Sequence, residues 1–218
     1  MWFSANFVKM DNVTIERPYA GQLSHERKSA RRAALVEAGF ELLGTKGVQA
    51  TTVRAVVREA GLNTRYFYES FANIEELLVA VFDRVMEGGI RKAIAQLPTV
   101  GGDLRGTIAA IGHAFVSTLD DPRAMRIALV EAWGSEALMR QRVATLHSGT
   151  AMLATVVKAG NDDVPTDGTV ELAAFAIMGG LLESMLAWVD GALDMPKDRL
   201  IERFTDLSVA TMERALAP

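Results

Sequence analysis

Apolar residues recur along the chain with the spacing of an α-helix. Ile74, Leu77, Leu78, Val81 and Val85 follow one another at positions i, i+3, i+4, i+7 and i+11, which places them on one helical face. No segment shows the sustained alternation of apolar and polar residues that is typical of a half-buried β-strand. The pattern therefore predicts an all-α fold.

Glycine and proline divide this pattern into pieces of helical length. About nine helices are predicted, at about residues 26–44, 52–59, 63–69, 73–96, 102–119, 122–133, 135–159, 167–190 and 197–215. The first three of these helices are expected to form a compact head at residues 24–72, preceded by a flexible leader at residues 1–23. Residues 73–218 form a larger helical body, and its first helix connects the body to the head.

Charge is distributed unevenly between these parts. The formal net charge is −4, but residues 17–72 carry +4 and residues 73–218 carry −7. A basic head on an acidic body is typical of a polyanion-binding module joined to a domain with another role. The chain has no cysteine, and its longest uncharged apolar run, Leu172 to Leu182, is shorter than the roughly 20 residues of a membrane span. We therefore expect a soluble, cytoplasmic protein.

The head contains the pattern of a helix-turn-helix. Thr52 can cap a short helix, Gly61 can end it, and Asn63 can cap a second short helix that fits the major groove of DNA. Arg65 is the best candidate for reading a guanine edge, whereas Tyr68 and Thr51 suit phosphate contacts. The candidate DNA-binding residues are Lys28, Thr51, Thr52, Arg54, Asn63, Thr64, Arg65, Tyr66 and Tyr68.

Simpler interpretations exist for each of these features. A threonine pair before a helix is usually only a cap, and an arginine-rich helix start is usually a solvated face. The consecutive aromatic residues Tyr66, Phe67 and Tyr68 are harder to explain in this way, because only one of three successive helical positions can face the core squarely. The two tyrosines must then lie at the edge of the core or contact another molecule.

The residues of the head resemble the N-terminal signature of the tetracycline-repressor (TetR) family. The matching positions are Ala34-Leu35, Ala38, Leu42-Leu43, Gly47, Thr51-Thr52-Val53, Ala60-Gly61-Leu62, Phe67 to Phe71 and Glu75 to Leu78. The resemblance implies a three-helix DNA-binding head, a helical ligand-binding and dimerisation body, and a homodimer that represses transcription until a small molecule releases it from its operator. Ile74 and Tyr66 depart from the family pattern, which commonly has a lysine and a small residue there.

The last two helices are the expected dimer interface. In the family they form a four-helix bundle with a second copy, and here the run Leu172 to Leu182 is apolar nearly all round. A central core helix of a monomer would show the same pattern. The candidate interface residues are Gly179, Gly180, Glu183, Phe204 and Leu207.

The remaining helices are expected to enclose a pocket for a small, mostly apolar effector. The candidate wall residues are Phe115, Met125, Trp133, Phe175 and Met178, with His113 and Arg126 as polar anchors, although plain core packing is the simpler explanation for each of them. The three histidines lack metal-ligand spacing, so neither a metal nor another cofactor is expected.

Two other classes of function remain as alternatives. An enzyme is disfavoured because the chain has no GxSxG, GxxxxGK[ST] or GxGxxG motif. A helical adaptor that binds only proteins would not explain the outward Arg65, Tyr66 and Tyr68 on a basic head. The sequence therefore favours a regulator whose partners are double-stranded operator DNA, a small effector and a second copy of itself.

Overall fold

The computed structural model describes residues 20–96, 104–118, 120–161 and 164–217, and within these ranges it contains helices and no strand. The all-α prediction is confirmed. The helices are α1 (Ala20–Lys46), α2 (Val53–Glu59), α3 (Thr64–Tyr68), α4 (Ile74–Gln96), α5 (Leu104–Thr118), α6 (Pro122–Leu129), α7 (Glu136–Ala159), α8 (Thr169–Val189) and α9 (Lys197–Leu216). Short 3₁₀ turns cover Val48–Ala50 and Glu131–Trp133.

Two helix boundaries differ clearly from the prediction. Helix α1 begins at Ala20 rather than at about residue 26. Residues 25–30 are all exposed, so this stretch has no apolar face that could reveal its helical period. The last four residues of the predicted leader are therefore helical, and residues 1–19 lie outside the described part of the chain.

The helix predicted at residues 122–133 is also shorter than expected. It ends at Leu129, and a 3₁₀ turn follows from Glu131 to Trp133. The turn brings Gly134 against the head, where a Cβ atom on Gly134 would lie 2.6 Å from Cγ2 of Val48. The α-helix thus gives way to a turn where the chain packs closely against the loop after α1.

One hydrophobic cluster joins the head to the start of the body. Phe67 and Phe71 of the head are almost completely buried, as are Leu77 and Phe82 of α4 and Ile127 of α6. The cluster therefore crosses the boundary predicted after residue 72. Because side chains in such a cluster interdigitate at crystal-like density, a displacement of α4 or α6 is felt by the head.

Two further clusters hold the rest of the body together. Ile108 of α5, Leu153 of α7, Ala174 of α8 and Met212 of α9 are buried in the larger one. Leu129, Leu181 and Met185 form the smaller one, where α6 meets α8. Helix α8 is thus shared by both clusters and is central to the body.

Among the described residues, α8 is the one helix whose length and apolar composition would allow it to cross a membrane. The uncharged run inside it, Leu172 to Leu182, is only 11 residues long. About a third of the matching window is buried against the remainder of the body. Core helices of soluble proteins pass the same test, and α8 contributes Ala173, Ala174, Ile177 and Met178 to the larger body cluster.

Helices α1 and α6 cross at Gly44. A Cβ atom on this glycine would lie 2.9 Å from the Cα atom of Arg123 and closer still to its Cβ atom. The Arg123 guanidinium then reaches back over α1, where it pairs with Glu41 and lies 4.8 Å from the ring centroid of Phe40. The missing side chain of Gly44 therefore sets how closely the body approaches the head.

We predict that Gly44→Ala destabilises the protein by about 1–3 kcal/mol, because the added methyl group overpacks against the backbone of α6. Gly88→Ala is the matched control, since a Cβ atom at this position in α4 meets nothing within 4 Å. That control should stabilise its helix by roughly 0.5–1 kcal/mol. Urea unfolding followed by circular dichroism measures both changes, and equal stability of the two variants would contradict the close crossing.

Candidate DNA-binding surface and ligand cavity

Hydrogen bonds at its caps define the helix-turn-helix. The Thr52 hydroxyl accepts from the backbone N–H of Ala55 at 3.2 Å, and the Asn63 side chain accepts from the N–H of Tyr66 at 3.2 Å. Between these caps Gly61 adopts a φ of 63°, which is in the left-handed region that glycine occupies without strain. The predicted helix, glycine turn and second helix are therefore confirmed, with the two caps at the predicted residues.

Two phenylalanines fix the orientation of α3. Phe67 is fully buried and Phe71 nearly so, and their ring centroids lie 5.7 Å apart. Because these rings face the core, the opposite side of α3 is turned to solvent. Asn63, Thr64 and Arg65 are exposed there, and Tyr68 is 59% exposed.

Arg65 is the most accessible charged group on this surface. Its side chain is 83% exposed, and its Nε atom donates to Oε1 of Glu69 at 2.9 Å. Glu69 also lies 3.8 Å from the guanidinium of Arg31. The carboxylate thus orients two arginines at the edge of α3, and the i,i+4 spacing of Arg65 and Glu69 was a sequence signal for this contact that the analysis did not use.

Tyr66 and Thr51 are placed differently from the other predicted DNA-binding residues. Tyr66 is half-buried, with the Arg31 guanidinium 4.5 Å from its ring centroid. Thr51 is only 3% exposed, and its hydroxyl donates to the carbonyl of Gly47 at 2.8 Å. The phosphate contact predicted for Thr51 is therefore wrong. The hydroxyl is buried, and it closes the turn after α1 instead of facing solvent. Lys28, Thr52 and Arg54 are exposed as expected.

A buried carboxylate links the head to the body. Glu131 is 9% exposed, and one of its oxygens accepts from the backbone N–H of Val48 at 2.9 Å. Its other oxygen accepts from Nε of Arg126 at 2.8 Å, and Arg126 also donates to the Thr45 carbonyl at 3.1 Å. Sequence reasoning missed this junction because its partners lie about 80 residues apart and no local pattern connects them.

The body contains a cavity of about 300 Å³ between α4, α5, α6, α7 and α8. Its lining is mostly apolar, with polar side chains on the α4 and α7 sides. The lining residues are Phe82, Asp83, Met86, Glu87, Gly89, Ile111, Phe115, Ala128, Leu129, Gln141, Arg142, Ala144, Thr145, Leu146, Ser148, Gly149, Met152, Met178, Leu182 and Met185. This volume and composition suit a small, largely apolar molecule.

Two of the predicted wall residues, Phe115 and Met178, line this cavity. The other five do not, and the structure corrects their assignment. Trp133 is 53% exposed and stacks with Arg142, whose guanidinium lies 4.4 Å from the ring centroid. Arg126 is used at the junction with Glu131.

The remaining three corrected residues face other parts of the body. His113 is exposed on α5, and Met125 packs into the cluster between α6 and α8. Phe175 is 43% exposed and lies edge-on to His147, at 5.4 Å between ring centroids. Apolar character identified Met125 and Phe175 as packing groups, but it did not reveal on which side of its helix each one packs.

The polar part of the cavity has specific partners. Nε2 of Gln141 donates to Oδ1 of Asp83 at 2.6 Å. Burial raises the pKa of Asp83, the Gln141 hydrogen bond opposes that shift, and the nearby Glu87 adds to it. Neither Asp83 nor Gln141 was predicted from the sequence, because isolated polar residues on amphipathic helices usually face solvent.

An open apolar face runs along α8 and α9. Leu172 and Leu207 are each 70% exposed. Cβ atoms added to Gly179 and Gly180 would meet nothing within 4 Å, so these glycines leave a shallow surface on α8. Glu183 is exposed as well, whereas Phe204 is half-buried and packs into both body clusters of its own chain.

Comparison with known proteins agrees with this architecture. Residues 35–81 match the family model described as bacterial regulatory proteins, tetR family. A putative tetR family transcription regulator from Shewanella sp. PV-4 superimposes with a TM-score of 0.64 at 20% identity, covering 86% of this chain and 98% of that one. At this identity the superposition establishes a shared fold.

Two structures of regulators named FadR are similar to a comparable extent. The fatty acid degradation regulator FadR from Bacillus halodurans has a TM-score of 0.67 at 18% identity, with 82% of this chain and 94% of that chain covered. FadR from Bacillus subtilis in complex with stearoyl-CoA has a TM-score of 0.63 at 18% identity, with coverage of 85% and 97%. The chain therefore matches the tetR family of bacterial regulatory proteins at residues 35–81 and shares its fold with these solved structures along most of its length.

Proposed function

We propose that this protein is a cytoplasmic, ligand-responsive transcriptional repressor without enzymatic activity. In this proposal a homodimer binds a roughly palindromic operator and leaves it when a small, mostly apolar molecule enters the cavity of each body. The observation that carries the proposal is the arrangement at α3, where an almost fully exposed Arg65 stands on a short helix anchored by two buried phenylalanines. An arginine in this position suits the O6 and N7 atoms of guanine in the major groove.

The charge of the head supports DNA as its partner. Residues 17–72 carry a net charge of +4, and the exposed Lys28 and Arg54 add positive groups near α3. Contacts of lysine with phosphates attract any DNA sequence, whereas Arg65 is placed to distinguish bases. The two kinds of contact are therefore separable by substitution.

We predict that Arg65→Ala weakens operator binding by about 1–3 kcal/mol and relaxes the preference at one base position. Lys28→Ala is the matched control, because it should weaken binding to all sequences alike and reduce the dependence of affinity on salt. Fluorescence anisotropy at several salt concentrations, with an operator selected from random DNA and its single-base variants, measures both effects. Unchanged operator affinity in both variants at low salt would rule out this surface as the DNA-binding face.

The open face of α8 and α9 supports the homodimer. Leu172 and Leu207 leave apolar surface in water, and the bare backbone at Gly179 and Gly180 would let another helix approach closely. A second copy placed on this face would bury these groups by a twofold contact, which is the commonest symmetry of homodimers. Two heads held in this way would present two copies of α3 to successive major grooves.

We predict that Gly180→Leu weakens the dimer by about 1–3 kcal/mol or more, because the new side chain overpacks the contact between copies. The fold of each chain should be retained, since the substituted position is open within the chain. Gly88→Leu is the control, because it adds the same side chain at another open helical position. Sedimentation velocity at micromolar concentration reports the association state, and a monomeric wild-type protein would refute the proposed dimer.

The junction at Glu131 supplies a route from the cavity to the head. Ala128 and Leu129 line the cavity at the end of α6, and Glu131 follows them directly. A ligand that displaces this end of α6 would change the hydrogen bond from Val48, which belongs to the turn before α2. To move the protein from 1% to 99% of the form that does not bind DNA, the ligand must prefer that form by about 5.5 kcal/mol.

We predict that Glu131→Ala uncouples the ligand from the operator. In the wild-type protein the operator should weaken ligand binding by the same factor by which the ligand weakens operator binding. In the variant this factor should fall towards one, while ligand affinity without DNA changes little because Glu131 does not line the cavity. Calorimetric titration of an effector chosen by its release of the operator, with and without that operator, measures the factor.

Glu136→Ala is the control for this experiment. Glu136 is exposed and pairs with Arg140 one turn further along α7, so its loss should leave the coupling intact. Coupling that persists at full strength in Glu131→Ala would show that the signal travels by another route.

A further inference from the structure

The polar part of the cavity carries an excess of negative charge. Asp83 and Glu87 lie one turn apart on α4, and both line the cavity, whereas Arg142 is the one cation among the lining residues that the structure describes. The Asp83 carboxylate is held by Gln141, whose amide donates to Oδ1 at 2.6 Å. This hydrogen bond orients the carboxylate but brings no positive charge to it.

Asp83 forms no ion pair with any lysine or arginine in the described ranges. Burial, in part offset by Gln141 and increased by Glu87, raises the pKa of this carboxyl, so its ionised form is under-stabilised in the empty cavity. Glu87 differs, because it is exposed and lies 3.5 Å from Arg91. Asp83 is therefore the carboxylate in this cavity that a cation would stabilise most.

Arg142 is the competing anchor, since it would favour an anionic ligand. Its Nε atom is buried without a hydrogen-bond partner. Burial lowers the pKa of Arg142, and the negative charge of Glu183 opposes that shift in part. The guanidinium also lies over the ring of Trp133 at 4.4 Å. Arg142 thus has an opposite charge nearby in Glu183, whereas the charged neighbour of Asp83 is the like-charged Glu87.

The rest of the cavity suits an apolar and deformable occupant. Met86, Met152, Met178 and Met185 contribute flexible, polarisable side chains to the wall, and Phe115 adds an aromatic ring. Methionine-rich walls adapt to apolar groups of different shape and favour van der Waals contact over a fixed hydrogen-bond pattern. An alkyl group can therefore occupy the methionine-lined part of the cavity.

We propose that this cavity binds a lipophilic monocation of the alkylammonium type, with the ammonium group beside Asp83 and the alkyl group among the methionines. Any effect of this cation on operator binding rests on the proposed function. The binding itself requires no DNA, so it can be tested separately.

The first test compares three ligands that share one alkyl chain and differ in charge. Decyltrimethylammonium, decan-1-ol and decanoate are each titrated calorimetrically into the full-length wild-type protein, below the concentrations at which they form micelles. We expect the cation to bind at least tenfold more tightly than the alcohol, and decanoate to bind most weakly, because its carboxylate meets Asp83 and Glu87. Equal affinities for the three ligands, or tighter binding of decanoate, would overturn the proposal.

The second test removes the charge of Asp83 and keeps its shape. Asp83→Asn retains an oxygen that can accept the hydrogen bond from Gln141, so thermal unfolding should change little. This variant should bind decyltrimethylammonium at least tenfold more weakly and decan-1-ol as before. Glu87→Gln is the matched control, and its effect on the cation should be smaller because Glu87 is exposed and paired with Arg91.

The possible failures separate the two proposals. No detectable binding of any of the three ligands, or unchanged cation binding in Asp83→Asn, would refute this assignment while leaving operator binding by the head unaffected. Loss of operator binding in a protein that keeps the expected order of ligand affinities would refute the proposed regulatory function instead. Arg142→Gln completes the comparison, because only an anion-binding cavity would lose affinity for decanoate in that variant.

Discussion

Gly44 and Arg123 mark the place where the head and the body approach most closely, and the rest of the architecture depends on this contact. The Cα atom of Arg123 would lie only 2.9 Å from a Cβ atom on Gly44, so the two helices meet backbone to backbone. Arg123 also pairs with Glu41 and Asp121, which fixes the start of α6 over α1. The other end of α6 lines the cavity, and a single short helix therefore contacts both functional parts of the chain.

The shared hydrophobic cluster determines what kind of motion this contact can transmit. Phe67 of α3 and Phe82 of α4 belong to one buried cluster with Ile127 of α6. The head is therefore packed against the body and is not joined to it by a flexible hinge alone. Phe82 also lines the cavity. Closely packed groups change position in discrete steps rather than by gradual deformation. The proposed response to a ligand is therefore a change in how α4 and α6 pack, and Glu131 is the polar part of the same contact.

Local signals made most of the fold predictable. The two caps of the helix-turn-helix lie at Thr52 and Asn63, where a side chain, its backbone partner and the sequence spacing are fixed within three residues. The helical periods of α4 and α9 required nothing beyond their own apolar residues. The start of α1 was missed because its exposed residues have no apolar period, and the end of α6 was missed because the break depends on Val48, more than 80 residues away.

The candidate sites were less predictable, because a residue's type does not say which side of a buried helix it occupies. Trp133 and Phe175 are large and apolar, yet both are substantially exposed, and the cavity wall is formed instead by methionines and by Asp83 and Gln141. An aspartate inside an apolar cavity costs stability unless something compensates its charge. The Gln141 hydrogen bond compensates it only in part, since burial still raises the pKa of Asp83. A charged residue in an apolar wall is a departure from the hydrophobic pattern, and such a departure carries more information about the ligand than the pattern itself.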